Sequence, residues 1–179
     1  HNEPDSIGPI DRTALHPGHR MDFIENKGQW DSRVLYRTET AKAITFVEEN
    51  CLTIVLREPI PALKKHAFHH QRLYKYHAYR VHFTNSEKAV ISGLGESETY
   101  SNYYIGNDPT RWASKANHYG SIEYKNIYNG IDLRVYSSEN AIKYEFIVNP
   151  GSDPAEIGIS YEGVRNVRCR DNSIVMEST

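Results

Sequence analysis

Apolar and polar residues alternate with a period of two along much of the chain. From Ala141 to Val148, the residues Ile142, Tyr144, Phe146 and Val148 fall on one side, and Lys143 and Glu145 on the other. Successive side chains of a strand point to opposite faces, so this segment predicts a strand with one dry and one wet side. Ile131, Leu133 and Val135 repeat the pattern, with Asp132 and Arg134 expected to point outward. Between the two, Ser137-Ser138-Glu139-Asn140 suits a tight hairpin, because Ser and Asn bond locally to the backbone. Upstream, Ile122 and Tyr124 alternate with Ser121 and Glu123 before Asn129-Gly130, where left-handed dihedrals are cheap. Downstream, Asn149-Pro150-Gly151 stops the ladder, and Asp153-Pro154 begins the return to Ile157, Ile159 and Tyr161. The pattern predicts three or four adjacent antiparallel strands here.

Earlier in the chain the same reading gives Val34 to Thr38, Ala43 to Glu48 and Leu52 to Arg57 as consecutive strands, the last two joined at Glu49-Asn50. Pro59 and Pro61 end that run, since proline cannot donate to a ladder. Ala62 to Tyr76 has a thin apolar face and reads as a long loop with at most a helical turn. His77 to Thr84 and Ala89 to Leu94 return to strand. Asn107-Asp108-Pro109 turns the chain, and Asp108 is placed to cap one helical turn over Thr110 to Lys115. Val164 to Cys169 and Ser173 to Glu177 predict a last hairpin about Asp171-Asn172. Near the start, Gly28 suggests a turn, and Trp30 an anchor that belongs to the core more readily than to a ligand platform.

So many strands with so little helix need a second apolar layer. The fold class is therefore all-β: an antiparallel β-sandwich, or alternatively a partly open β-barrel, with at most one or two short helices. Residues 1–22 carry Pro4, Pro9 and Pro17 and no periodicity, and read as a flexible leader. Residues 23–179 form one domain. The last strand runs out at Thr179, so the natural domain is expected to continue on its C-terminal side, and the start at His1 is expected to be a processed or trimmed end.

Composition narrows the function. A net charge of -2 argues against electrostatic capture of nucleic acid. No apolar run approaches the roughly 20 residues of a membrane-spanning helix, and no membrane insertion is expected. The 13 tyrosines suit half-buried sheet surfaces, where a ring packs and a hydroxyl meets water.

Four blocks, FIENKGQW, YSNYYIGNDPTRW, YGSIEYKNIYNGIDLRVY and IKYEFIVNPGSDPAEIGISYEG, carry a family likeness. From about Phe23 onward the chain resembles an amino-terminal domain of unknown function that precedes SBBP (beta-propeller) repeats in large secreted bacterial proteins. It looks most like those of Bacteroidetes surface proteins that end in a gliding-motility-associated or type IX secretion sorting domain. The resemblance implies export, a secreted or cell-surface setting, and a structural or adhesive role beside neighbouring domains of the same protein. Other surface proteins or surface polysaccharide are the implied partners. It supplies no catalytic residues, and the domain is expected not to be an enzyme.

Tyr103, Tyr104, Trp112 and Tyr119 offer flat faces for sugar rings, which makes a carbohydrate-binding module the alternative function; if they are instead packed against the opposite sheet, they serve the core. His66, His69, His70 and His77, with His82 further on, are the densest set of imidazoles. Zinc or copper suits such ligands, but their spacing matches no ligand pattern. With Lys64, Lys65, Arg72 and Lys75 nearby, a solvated, mildly basic loop is the plainer reading; those cations could attract an acidic polysaccharide, although a solvated face is the usual explanation. Cys51 and Cys169 are the two cysteines. In an oxidising compartment they could pair, and closing so long a loop would stabilise by up to about 4–5 kcal/mol on chain entropy; two separate buried thiols is the simpler reading. Glu96 with Glu98, Asp132 with Glu145, or Asp153 with Glu156 could serve glycoside or ester hydrolysis, but the sequence does not set the separation that chemistry needs. Asp108, Asp132 and Asp153 could donate oxygens to calcium, without EF-hand order. No cofactor is expected.

Overall fold

The computed structural model describes residues 22–60, 73–104, 106–138, 141–171 and 173–178. Among them the chain is an antiparallel β-protein without an α-helix. Its strands are β1 (Phe23–Glu25), β2 (Tyr36–Glu39), β3 (Ala43–Val47), β4 (Cys51–Pro59), β5 (Tyr74–Thr84), β6 (Val90–Tyr103), β7 (Ala113–Tyr128), β8 (Ile131–Ser138), β9 (Ala141–Val148), β10 (Gly158–Glu162), β11 (Val164–Arg170) and β12 (Ser173–Ser178). Two single 3-10 turns, Pro109–Arg111 and Pro154–Glu156, are capped by Asp108 and Asp153, each accepting from the backbone N–H two residues on.

The first ten strands form one sheet in the order β10-β5-β4-β3-β2-β1-β7-β8-β9, with β6 also on β7. A strand has two ladder edges. β6 runs along one edge of β7 from Ala113 to Lys125. β1 and β8 must therefore share the other edge, β1 at His118 and Tyr119, β8 from Ser121 to Tyr128. The β6–β7 pair is thus a spine common to two halves of a curled sheet, the device by which strands pass from one layer to another. The halves face each other. Phe83 of β5 packs edge-on to Tyr124, Tyr144 and Phe146, with ring centroids 6.0–6.2 Å apart. The core between them is Phe23, Val47, Leu52, Val81 and Phe83 from one half and Ile122, Tyr124, Ile127, Ile131, Leu133 and Val135 from the other.

At the far side the curl nearly closes. The Tyr144 and Tyr161 hydroxyls meet at 3.3 Å, joining β9 to β10 without a ladder between them. The Tyr128 hydroxyl lies 2.8 Å from Gly158 O and 3.1 Å from Thr84 O, and accepts from Gly158 N at 3.3 Å. The expected all-β architecture is present. Of the two arrangements foreseen for its second layer, the one continuous sheet curled on itself is the partly open barrel. β11 and β12 form a separate exposed hairpin, turning at Asp171 with φ 48°.

Several boundaries differ from expectation. β5 begins at Tyr74, inside the stretch read as loop; residues 61–72 lie outside the described residues, as does the leader up to residue 21. β6 extends nine residues past Leu94, to Tyr103. The turn at Thr110 to Lys115 is a 3-10 turn ending at Arg111, and strand resumes at Ala113. β10 pairs with β5, not with its sequence neighbour β9. Asp132 does not point to water: it is 3% exposed, with Lys125 Nζ 2.7 Å away and Asn126 N donating at 2.9 Å. Glu123 on the same face is held by Arg134 at 3.3 Å and Lys125 at 3.5 Å.

Candidate functional site

At one end of the β6–β7 spine the connection carries aromatic side chains that do not enter the core. Tyr104 is 60% and Trp112 44% exposed, and they meet edge-on with centroids 6.0 Å apart. The Trp112 indole N–H donates to Gly106 O at 3.2 Å, and its backbone N–H to Pro109 O at 3.1 Å. Asp108 fixes the turn beneath by accepting from Thr110 N and from the Thr110 hydroxyl. Tyr100, on the same arm of β6, is also exposed. An indole held in this way loses little conformational entropy when something stacks on it.

The four aromatics singled out by sequence separate into two kinds. Tyr104 and Trp112 are exposed. Tyr103 is half-buried and packs edge-on against Trp30 at 5.4 Å, with the Arg37 guanidinium 5.6 Å from the Trp30 ring centroid. Tyr119 is a packing residue: it meets Tyr36 edge-on at 5.8 Å and lies over Gly93, where a Cβ would come within 2.2 Å of its ring. Trp30 is therefore an anchor at the margin of the core. It is presented by a knot around Asn26, whose Oδ1 accepts from Gly28 N and Trp30 N while its Nδ2 donates to Asp31 O at 2.9 Å and Val34 O at 2.7 Å. Gln29, buried, donates to Glu25 O at 2.7 Å, and Glu25 accepts from Asn117 N at 2.8 Å. These contacts account for Glu25, Asn26 and Gln29 of FIENKGQW. Two depressions of about 540 and 610 Å³ flank this turn, and neither is lined by Trp112.

Among the described residues the remaining candidates do not converge. His77 sits in β5, while His66, His69 and His70 lie outside the described residues. Among the described residues no three His, Cys, Asp or Glu side chains gather as for a metal. His82 instead pairs with Glu162 at 2.8 Å; that contact, with Arg80 behind it, holds the Glu162 carboxyl below its ordinary value. Cys51 and Cys169 are free thiols, one buried in the large sheet and one exposed on the β11–β12 hairpin. Burial, reinforced by Glu48, pushes the Cys51 thiol up to about 11, so it is protonated and unreactive near neutrality. Asp108 and Asp153 are engaged as caps at separate turns. Asp132 is tied to Lys125, and Glu145 stands opposite Arg134 in the β8–β9 register. Glu96 and Glu98 are exposed on β6.

One constellation was invisible in the sequence. Ser101 Oγ on β6 lies 2.8 Å from His118 Nε2 on β7, and His118 Nδ1 lies 3.2 Å from Asp22 Oδ2, just ahead of β1. The three residues follow no motif and are spread over nearly a hundred positions, so only the pairing of β1 and β6 on either edge of β7 brings them together.

Fold and site together define a strand-built scaffold that presents an exposed aromatic pair at the end of its spine. The chain belongs to the family described as a domain of unknown function, DUF7948, whose model matches residues 23–179. No curated protein and no solved structure matches it. No helix among the described residues is long and apolar enough to cross a membrane.

Proposed function

We propose that this domain is a secreted or cell-surface module whose role is structural or adhesive, and that its contact surface is the aromatic end of the β6–β7 spine. The observation that carries the reading is Trp112, exposed to solvent yet held by Gly106 O and the capped 3-10 turn, with the exposed Tyr104 ring edge-on against it. Large exposed rings that do no packing work mark interaction sites. The extracellular setting, at the amino end of a large secreted protein of the kind that carries SBBP repeats or a type IX sorting domain, rests on the likeness of the four sequence blocks described above.

Carbohydrate is the ligand class that this patch favours, because flat, amphipathic rings stack on the apolar faces of sugars while their polar edges stay wet. The test is a glycan array probed with the intact chain and with Trp112→Ala. Specific binding that weakens tenfold or more in the variant is the expected result, since truncating an aromatic anchor commonly costs about 2 kcal/mol. Silence across a broad array would remove the carbohydrate assignment. Binding that the variant retains in full would remove the patch from the site.

A further inference from the structure

We propose that Ser101 is an activated nucleophile, with His118 as its general base and Asp22 as the group that positions the imidazole, and that this site acts on acyl esters. The proposal is independent of the carbohydrate reading and stands on geometry. The two nitrogens of one imidazole face two different partners: Nε2 meets the Ser101 hydroxyl at 2.8 Å and Nδ1 meets the Asp22 carboxylate at 3.2 Å. Thr99 Oγ1 also lies near Nδ1, at the 3.5 Å limit of a hydrogen bond. A carboxylate at Nδ1 favours the tautomer with the proton there, which leaves the Nε2 lone pair aimed at the serine hydroxyl. That is the relation of nucleophile, base and orienting acid that recurs on unrelated folds and is recognised by roles and distances.

The local backbone supports it. Between the pairs Glu96↔Tyr119 and Tyr100↔Asn117, three residues of β6 stand against His118 alone. Such bulges break the ladder and re-aim side chains, and they concentrate next to active sites. The His118 side chain is 15% and the Asp22 side chain 35% exposed, and Ser101 is partly exposed. The ring is therefore sheltered enough to keep its orientation, beside a serine that is itself partly exposed.

In the reaction, the Ser101 Oγ–H bond breaks as Oγ bonds to the ester carbonyl carbon, and the proton passes to His118 Nε2. The tetrahedral intermediate collapses with loss of the alcohol, which takes that proton from Nε2. Water then attacks the acyl-serine by the same route in reverse, releasing the carboxylic acid and restoring Ser101. The Asp22 carboxylate holds the imidazolium in place. One oxyanion-hole donor contributes about 10²–10³ in rate; with no donor assigned to the developing oxyanion, slow turnover is expected.

The test is a fluorophosphonate probe on the intact chain, with the adduct located by peptide mass spectrometry. Formation of the adduct breaks the P–F bond, releases fluoride and passes the Oγ proton to His118. An adduct on Ser101 is expected, lost in Ser101→Ala and slowed at least tenfold in His118→Ala and in Asp22→Asn. Added imidazole is expected to restore labelling in His118→Ala, which a merely structural histidine would not allow. Thermal melts of all three variants separate loss of chemistry from loss of fold. No adduct under conditions that label a reference serine esterase, an adduct elsewhere, or equal labelling in His118→Ala would each overturn the proposal.

Discussion

Two threonines show how a single atom can oppose an otherwise apolar layer. Thr38 and Thr45 stand opposite each other in the β2–β3 register, 2% and 0% exposed, and neither Oγ1 has a hydrogen-bond partner among the described residues. A buried hydroxyl without a partner forfeits its hydration for nothing, and valine has nearly the same shape. Thr45→Val is expected to stabilise the domain by about 1 kcal/mol, raising the melting temperature by roughly 2–4 °C. A lower melting temperature would show that the hydroxyl is paired after all. The residue scale is also where sequence reading fell shortest. Alternation assigned Asp132 to the wet face, but alternation carries no information on who else shares that face. Lys125 and Arg134 cover it, and the carboxylate is enclosed with its partners.

Turn chemistry dominates at the scale of elements. The Asn26 side chain makes hydrogen bonds in both directions within the segment from Gly28 to Val34, doing the work of a strand in a stretch that has none. Asn26→Ala removes them together and leaves backbone groups unpaired; a loss of about 2–3 kcal/mol is expected in chemical denaturation, with an unchanged denaturant slope. A loss below about 0.5 kcal/mol would mean the knot forms without the amide. The strands with clean alternation, β3, β4, β8 and β9, were legible within a residue or two. The outer arms of β6 and β7 were not, for a physical reason. They are rich in Ser, Glu, Asn and Lys, and the bulge over residues 97–99 interrupts the two-residue period just where His118 lies. A bulged, polar-rich pair of strands that buries little more than Ala113 and Ala116 leaves a faint hydrophobic trace. The aromatic patch was half legible: the sequence named Trp112 and Tyr104 correctly as candidates but could not separate them from Tyr119, whose ring fills the space above Gly93.

For the molecule as a whole, the class of fold followed from pattern, but the return of β10 to β5 did not. Sequence neighbours usually pair, and here a segment containing a 3-10 turn carries the chain across to the other half. Tyr128 secures that crossing from the end of β7 with one hydroxyl shared between β5 and β10. Tyr128→Phe is expected to destabilise by about 1–3 kcal/mol and to speed amide exchange in Gly158–Glu162 more than in the β6–β7 spine. Uniform acceleration across the sheet would show instead that the hydroxyl supports the whole fold and not this one crossing.

The meeting of Tyr144 and Tyr161 has a mechanical consequence. Where every other neighbour in the curl is stitched by rows of amides, β9 and β10 touch through two phenols. A pull that separates those strands need not shear a single ladder hydrogen bond. Under tension that line is expected to part before any ladder does, baring the faces of Phe83 and Phe146.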